Sequence, residues 1–363
     1  MNKRKHILMN LMVILFIVSI FQIKIGPVYA NDVPKEKITN ETISIETNIE
    51  DNLVTKLDKL TFDVWVRDVN DEKIDIDYIS VTNNGKNIPI NWNDDEKTSY
   101  TTDLVIGKNN INIEVNYSNT KINKNYVIMK EEAEDGDVIG NIIFSMDAFT
   151  IGLGYIVEPI KVDLIKGERA SELLVRILES NGFDYDFTGT INQSFYLAAI
   201  AAAENEIYTV EPEIPEALKE ALEGNYNENN YDENYLGEFD FNSLSGWMYS
   251  VNNIFPNVGY ADYYLKDGDV IRTQFTLALG SDIGGGWGNN FFELVNKDAL
   301  TSAIAEINTF HRDEYLQYED IEKAYNHSLT ILQKVNASQV EIDDALLDLE
   351  NAVNVIENSG NLN

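Results

Sequence analysis

The residues in this chain best suited to chemistry are six aromatics crowded into the stretch 245–276: Trp247, Tyr249, Phe255, Tyr260, Tyr263 and Tyr264. Rings at this density cover the apolar face of a flat ligand such as a sugar, so the chemistry they offer is recognition by stacking. Core packing competes for the same rings. Trp247 and Tyr249 alternate with Met248 and Ser250 as on a strand and make the natural core pair, whereas Phe255, Tyr260 and Tyr264 fall among turn residues near the surface. Bond-making groups are scarce. Beyond His6 the chain has only His311 and His327, both in a helical segment far from the sheet patterns, so no triad, zinc site or histidine base is available to the sheet domains. Carboxylates abound, but no motif sets two of them across a cleft. The run Gly284-Gly285-Gly286-Trp287-Gly288 lacks the Lys and Ser/Thr of a phosphate-cradling loop. The expectation is a binding protein: no catalytic residue, no metal site, no cofactor.

The elements that must hold the rings are short. The run 246–251 alternates as a strand, Lys266-Asp267-Gly268-Asp269 marks a turn, and 270–277 puts Ile271, Phe275 and Leu277 on one face. Upstream, 142–145 and 160–165 read as strands joined by a turn-rich connection over 150–159. Leu173, Leu174, Ile177 and Leu178 stripe a helix over 170–181 that Gly182 stops. A small sheet crossed by one helix is a grasp-like α+β arrangement. An insertion at 204–235 holds a short helical run, 216–223, and then Tyr226, Tyr231 and Tyr235 among Asn and acids. It reads as a solvated loop, or as a tyrosine-rich lip that stacks on a sugar or another flat ligand.

The strings TIGLGYIVEP, ASELLVRILESNGFDY, FYLAAI, LGEFDFNSLSGWMYSVNN, PNVGYADYYLKDGDVIRTQFT and LGSDIGG span 141–285. Together they resemble the transcobalamin C-terminal-like domain, the DUF4430 family. The resemblance implies a β-rich domain that closes over a corrinoid held against a separate helical barrel, and no such barrel pattern occurs in this chain. Two further departures are Asn252-Asn253 in place of the usual Asn-Gly hairpin turn, and Arg169 where a Ser or Thr helix cap is usual.

The flanks complete a multidomain, mainly β chain. Residues 1–30 carry a basic opening, an apolar run and a small-residue site ending at Ala30, the pattern of a signal peptide cleaved after that residue. Six or seven short strand patterns over 38–130 predict a β-sandwich that resembles bacterial immunoglobulin-like (Ig-like) domains, with Trp65 and Trp92 as packing residues. An acidic linker occupies 131–140, which like charges keep extended, and the glycines open a hinge over 286–295. Helical stripes over 296–358, the last opened by a capping box at Ser338 and Glu341, predict a three-helix bundle. The run VNASQVEIDDALLDLENAV resembles the FIVAR module of Gram-positive surface proteins.

The chain has 61 acidic and 27 basic side chains, and without the leader the balance is 23 against 61, a net charge of −38. Such a field repels phosphate backbones and excludes nucleic-acid binding; it serves solubility outside the cell, with loose Ca²⁺ capture by acidic loops as a lesser role. There is no cysteine, so neither a lipid-anchored lipoprotein nor a disulfide scaffold fits. The expectation is a secreted or cell-surface protein with no membrane span after leader cleavage, associated with the cell wall if retained there. Its central domain binds a small flat ligand, a corrinoid by the resemblance; the alternative is a non-enzymatic adhesin or scaffold that contacts wall glycan or protein partners.

Overall fold

The computed structural model describes residues 43–93, 96–202, 207–208 and 210–358, and the expected signal peptide lies outside them. The described residues fall into two compact units, divided between Glu132 and Ala133.

The first unit contains β1 (Ser44–Thr47), β2 (Leu53–Thr55), β3 (Lys59–Arg67), β4 (Ile79–Asn83), β5 (Lys86–Asn87), β6 (Ile90–Asn93), β7 (Thr98–Asp103), β8 (Gly107–Tyr117) and β9 (Thr120–Lys130). They form two sheets, ordered β1-β3-β7-β6 and β2-β9-β8-β4-β5. Period-two alternation sends Phe62, Val64 and Val66 from one sheet and Ile111, Ile113 and Val115 from the other into a single core. Ser118 and Asn119, both with positive φ, close the β8–β9 hairpin in the backbone conformation that matches strand twist. Trp65 is half-buried, with the Lys97 ammonium 5.8 Å from its ring centroid.

The second unit opens on β10 (Val138–Asp147) and β11 (Tyr155–Ile165), followed by α1 (Ala170–Ser180), β12 (Phe183–Thr190) and β13 (Gln193–Ala202). Then come α2 (Glu216–Leu222), β14 (Tyr235–Gly237), β15 (Gly246–Val251) and β16 (Val270–Thr276). The helical region has α3 (Asp298–Glu306), a π-helical stretch Ile307–His311, α4 (Arg312–Tyr315), α5 (Glu319–Gln333) and α6 (Gln339–Asn358). One sheet has the order β11-β10-β16-β15 with β10 and β16 parallel at its centre; β12-β13-β14 make a second. The stripe Leu173, Leu174, Ile177 and Leu178 of α1 shares a core with Ile142, Phe144 and Met146 of β10. Arg169 offers no cap to α1, and Glu172 replaces it: its Oε2 accepts from the Arg169 N–H at 2.8 Å, while Tyr263 O accepts from the Ala170 N–H at 2.9 Å. The expected turn-rich connection over 150–159 is shorter than predicted, because Tyr155 to Pro159 already belong to β11.

The opposite face of the four-stranded sheet is polar and nonetheless buried. It presents Ser145 and Asp147 from β10, Arg272 and Gln274 from β16 and Ser250 from β15, all less than a tenth exposed. Helix α3 covers this face, with Ala305 against Ile143 and Val270. Arg272 donates to Gln274 Oε1 at 2.6 Å and stands 4.0 Å from Asp147, while Lys297, also buried, donates to Leu332 O at 2.7 Å and Lys334 O at 3.1 Å. Among the described residues Ser145 Oγ, Asp147 Oδ2, Asp298 Oδ1 and Thr301 Oγ1 make no hydrogen bond, so this face is costly to cover. Burial raises Asp147 to about 6 against the pull of Arg272, and burial together with Arg272 lowers Lys297 to about 7.

The structure departs from three expectations about the joints. Residues 296–358 are not set off by a hinge, because the helical region and the sheet share this buried interface within one unit. The glycines of 284–286 serve close approach: a Cβ at Gly284 would meet Leu294 Cδ1 at 2.7 Å, and one at Gly285 would meet the Phe255 ring at 2.9 Å. The acidic linker is not extended throughout: residues 134–137 turn, with the Asp137 N–H donating to Glu134 O at 3.0 Å and Asp137 Oδ2 accepting from the Glu134 N–H at 2.7 Å, and β10 already begins at Val138. At the outer edge of β11, Asn308 Nδ2 donates to Pro159 O and the Lys161 N–H donates to Thr309 Oγ1, each at 2.9 Å.

Phe144 is fully buried in the core of the second unit, so Phe144→Ala should cost about 3–5 kcal/mol and lower the calorimetric transition of that unit while leaving the first unchanged. The Lys297 amine carries a pH signature. The unfolded chain holds its proton up to about 10.5 and the folded chain only to about 7, so this component of stability rises with pH between those values. Lys297→Met removes it. The melting temperature of the variant relative to the parent should be highest at pH 7 and below, and the difference should shrink towards pH 10. A pH-independent difference would mean that the amine is not buried as its charge-disfavouring surroundings imply.

Candidate functional site

The six aromatics divide by burial. Trp247, Tyr249 and Tyr260 are 4%, 7% and 5% exposed and belong to the core. Trp247 Nε1 donates to Leu236 O at 3.0 Å and the ring meets Phe275 edge-on at 5.2 Å. Tyr249 stacks on Tyr260 at 4.0 Å; its hydroxyl donates to Val258 O at 2.8 Å, and Tyr260 OH pairs with Thr273 Oγ1 at 3.0 Å. Burial raises both phenols well above their usual range. These three rings are therefore spent on packing, which corrects their assignment as ligand contacts. The surface position expected for Tyr260 fails because its turn folds back as a short 3₁₀ segment, Tyr260–Asp262, beneath Tyr249. Tyr263 is half-buried against the same core, and Phe255 is half-buried over Gly285. Only Tyr264 is well exposed, at 50%, with the Arg169 guanidinium 5.0 Å from its ring centroid. The structure does not bring the six together as one open face.

The recess that is open lies in the neighbouring loops. Asn225, Tyr226, Asn227 and Asn230 from the segment after α2 face Phe239, Phe241, Asn242 and Ser243 from the segment after β14 around a depression of about 460 Å³. Two backbone bonds lock its halves together: Asn227 N–H to Phe241 O at 2.7 Å and Phe241 N–H to Asn230 O at 2.6 Å. Phe241, 1% exposed, anchors the base by stacking on Tyr231 at 5.2 Å and meeting Phe275 edge-on at 6.4 Å. The second half is fixed by Asn242, whose Nδ2 donates to Leu277 O at 2.8 Å and whose Oδ1 accepts from the Leu244 N–H at 2.7 Å.

Backbone strain marks this recess. Phe239 and Phe241 have φ of 70° and 68°, a left-handed conformation that costs a bulky residue on the order of 1–3 kcal/mol. Phe241 repays it by burial. Phe239 does not, and its ring remains 59% exposed at the rim. Leu244, next in the chain to the lining residue Ser243, and Leu279 are joined by a Leu279 N–H to Leu244 O bond of 3.2 Å and are 47% and 60% exposed. Asn225 Nδ2 donates to Leu222 O, Asn227 Oδ1 accepts from the Asn229 N–H and Asn230 Nδ2 reaches Phe239 O. Among the described residues, the other ends of these three amides carry no partner.

The lip expected from Tyr226, Tyr231 and Tyr235 is thus built differently. Tyr226 lines the recess, Tyr231 is stacked beneath it and Tyr235 opens β14. The Asn residues and Phe239 are not singled out by residue pattern; the density of Asn in GNYNENNYDENY is the available signal, and the positive φ of Phe239 has none. Among the described residues no group of three His, Cys, Asp or Glu could hold a metal ion, and no helix is long and apolar enough to cross a membrane.

Comparison with known proteins adds a family match and distant structural likenesses. The Ig1-2 module of the Drosophila receptor protein tyrosine phosphatase DLAR is 11% identical over 27% of this chain and 55% of that chain, about half its length, at a TM-score of 0.20. Domains 5–6 of the S-layer protein SbsC are 14% identical over 46% of this chain and 88% of that chain, at a TM-score of 0.22. At TM-scores this low neither likeness bears on fold or function. No curated protein matches the chain. The model of the family described as a domain of unknown function, DUF4430, matches residues 214–276, a segment that contains the whole recess together with β15 and β16.

Proposed function

We propose that this is an exported, non-enzymatic surface protein that binds neutral glycans in the recess between 225 and 243. The observation that carries this reading is the exposed phenyl ring of Phe239, held on strained backbone at the rim of an asparagine-lined depression. An aromatic ring covers the apolar face of a pyranose, and side-chain amides that both donate and accept suit a ring of hydroxyls. The leader pattern, the absence of cysteine and the acidic balance of 61 against 27 support a location outside the cell. In this reading the first unit is an Ig-like sandwich, the central sheet with α1 is the grasp-like domain, and 296–358 is a FIVAR-like three-helix bundle that adds wall or matrix contact. The corrinoid reading loses support because three of the six rings it needs are in the core.

Calorimetric titration of the purified protein with neutral oligosaccharides, uronic-acid oligosaccharides and a corrinoid tests this. Neutral saccharides should bind, and Phe239→Ala should weaken them at least about tenfold without lowering the melting temperature, since truncation of an exposed ring removes stacking but no core contact. Corrinoid binding that depends on Phe255 and Tyr264 would replace the proposal.

A further inference from the structure

Within that glycan reading, on which this step rests, we infer that the recess is selective for N-acetylated hexosamine units. Three features converge on that substituent. An acetamido group offers one N–H and one C=O in a plane, the complement of a side-chain amide, and Asn225 Oδ1 and Asn227 Nδ2 present an acceptor and a donor that no described residue occupies. The acetyl methyl needs an apolar contact, and Leu244, which follows the lining residue Ser243 and whose N–H bonds Asn242 Oδ1, offers an exposed one together with Leu279, whose N–H bonds its carbonyl; Leu279 is held at φ 49°, a second bulky residue kept exposed on left-handed backbone. The segment around the recess bears Glu228, Asp232, Glu233, Glu238 and Asp240 and no basic residue between Gly224 and Ser245. That charge repels uronic acids, sialic acids and phosphate-bearing polymers and leaves neutral sugars as the matching class.

The discriminating test is titration with three disaccharides that share a β-1,4-linked backbone and differ at C2: di-N-acetylchitobiose (acetamido), cellobiose (hydroxyl) and chitobiose (ammonium). The acetylated sugar should bind about tenfold or more tighter than cellobiose. Leu244→Ala, alone and with Leu279→Ala, should narrow that gap while leaving cellobiose unchanged, which separates methyl recognition from ring stacking on Phe239. Equal binding of cellobiose overturns this inference and leaves glycan binding in place. Tightest binding of chitobiose overturns it in favour of charge attraction to the acidic segment. Absence of binding by all three, and by the wider neutral panel, overturns the glycan reading itself.

Discussion

The second unit depends on the burial of charge between its central sheet and α3. Arg272 is 8% exposed in the middle of a four-stranded sheet, and that is tolerable only while Gln274 accepts from it, Asp147 stands near and a helix covers the face without taking those partners. Replacing the helical region by solvent would change the environment of every one of these groups at once. The glycines of 284–286, the seat of Lys297 on the carbonyls at the end of α5 and the contacts of the π-helical stretch with β11 all serve to hold α3 in place. A face of this kind contributes less to stability than an apolar one and specifies one arrangement more narrowly.

The recess inherits its rigidity from the other side of the same sheet. Phe275 of β16 touches both Trp247 and Phe241, so the aromatic core beneath the sheet continues without a break into the base of the depression. Rings first read as binding groups act one layer lower, as the footing on which the loops rest. Binding groups on loops need such a footing, because a loop alone pays the ordering entropy when it meets its ligand.

Period-two and helical patterns in the sequence located β3, β8, β15, β16 and α1 and identified their inward faces, because burial of one face leaves a direct trace in residue order. What they missed has physical causes. The polar face of the central sheet reads as solvent-facing, since Ser145 and Asp147 alternate with apolar residues and Arg272 and Gln274 lie opposite Ile271 and Phe275; only the covering helix, well over a hundred residues after β10, reverses that meaning. The recess was legible only in part: the loop, its Tyr226 and its asparagines stood out, but backbone φ at Phe239 and the pairing of Asn227 with Phe241 are products of the fold that no local pattern records.

The closed edge of β11 has a consequence for how two copies of the chain can meet. An edge strand exposes donors and acceptors that invite a strand from a neighbouring molecule. Here Pro159 withholds its own N–H, Asn308 occupies its carbonyl and Thr309 takes the Lys161 N–H, so the edge is closed by side chains from the chain's own helical region. Two copies brought together along this margin would therefore touch through side chains and could not pair β11 with a strand of the neighbour.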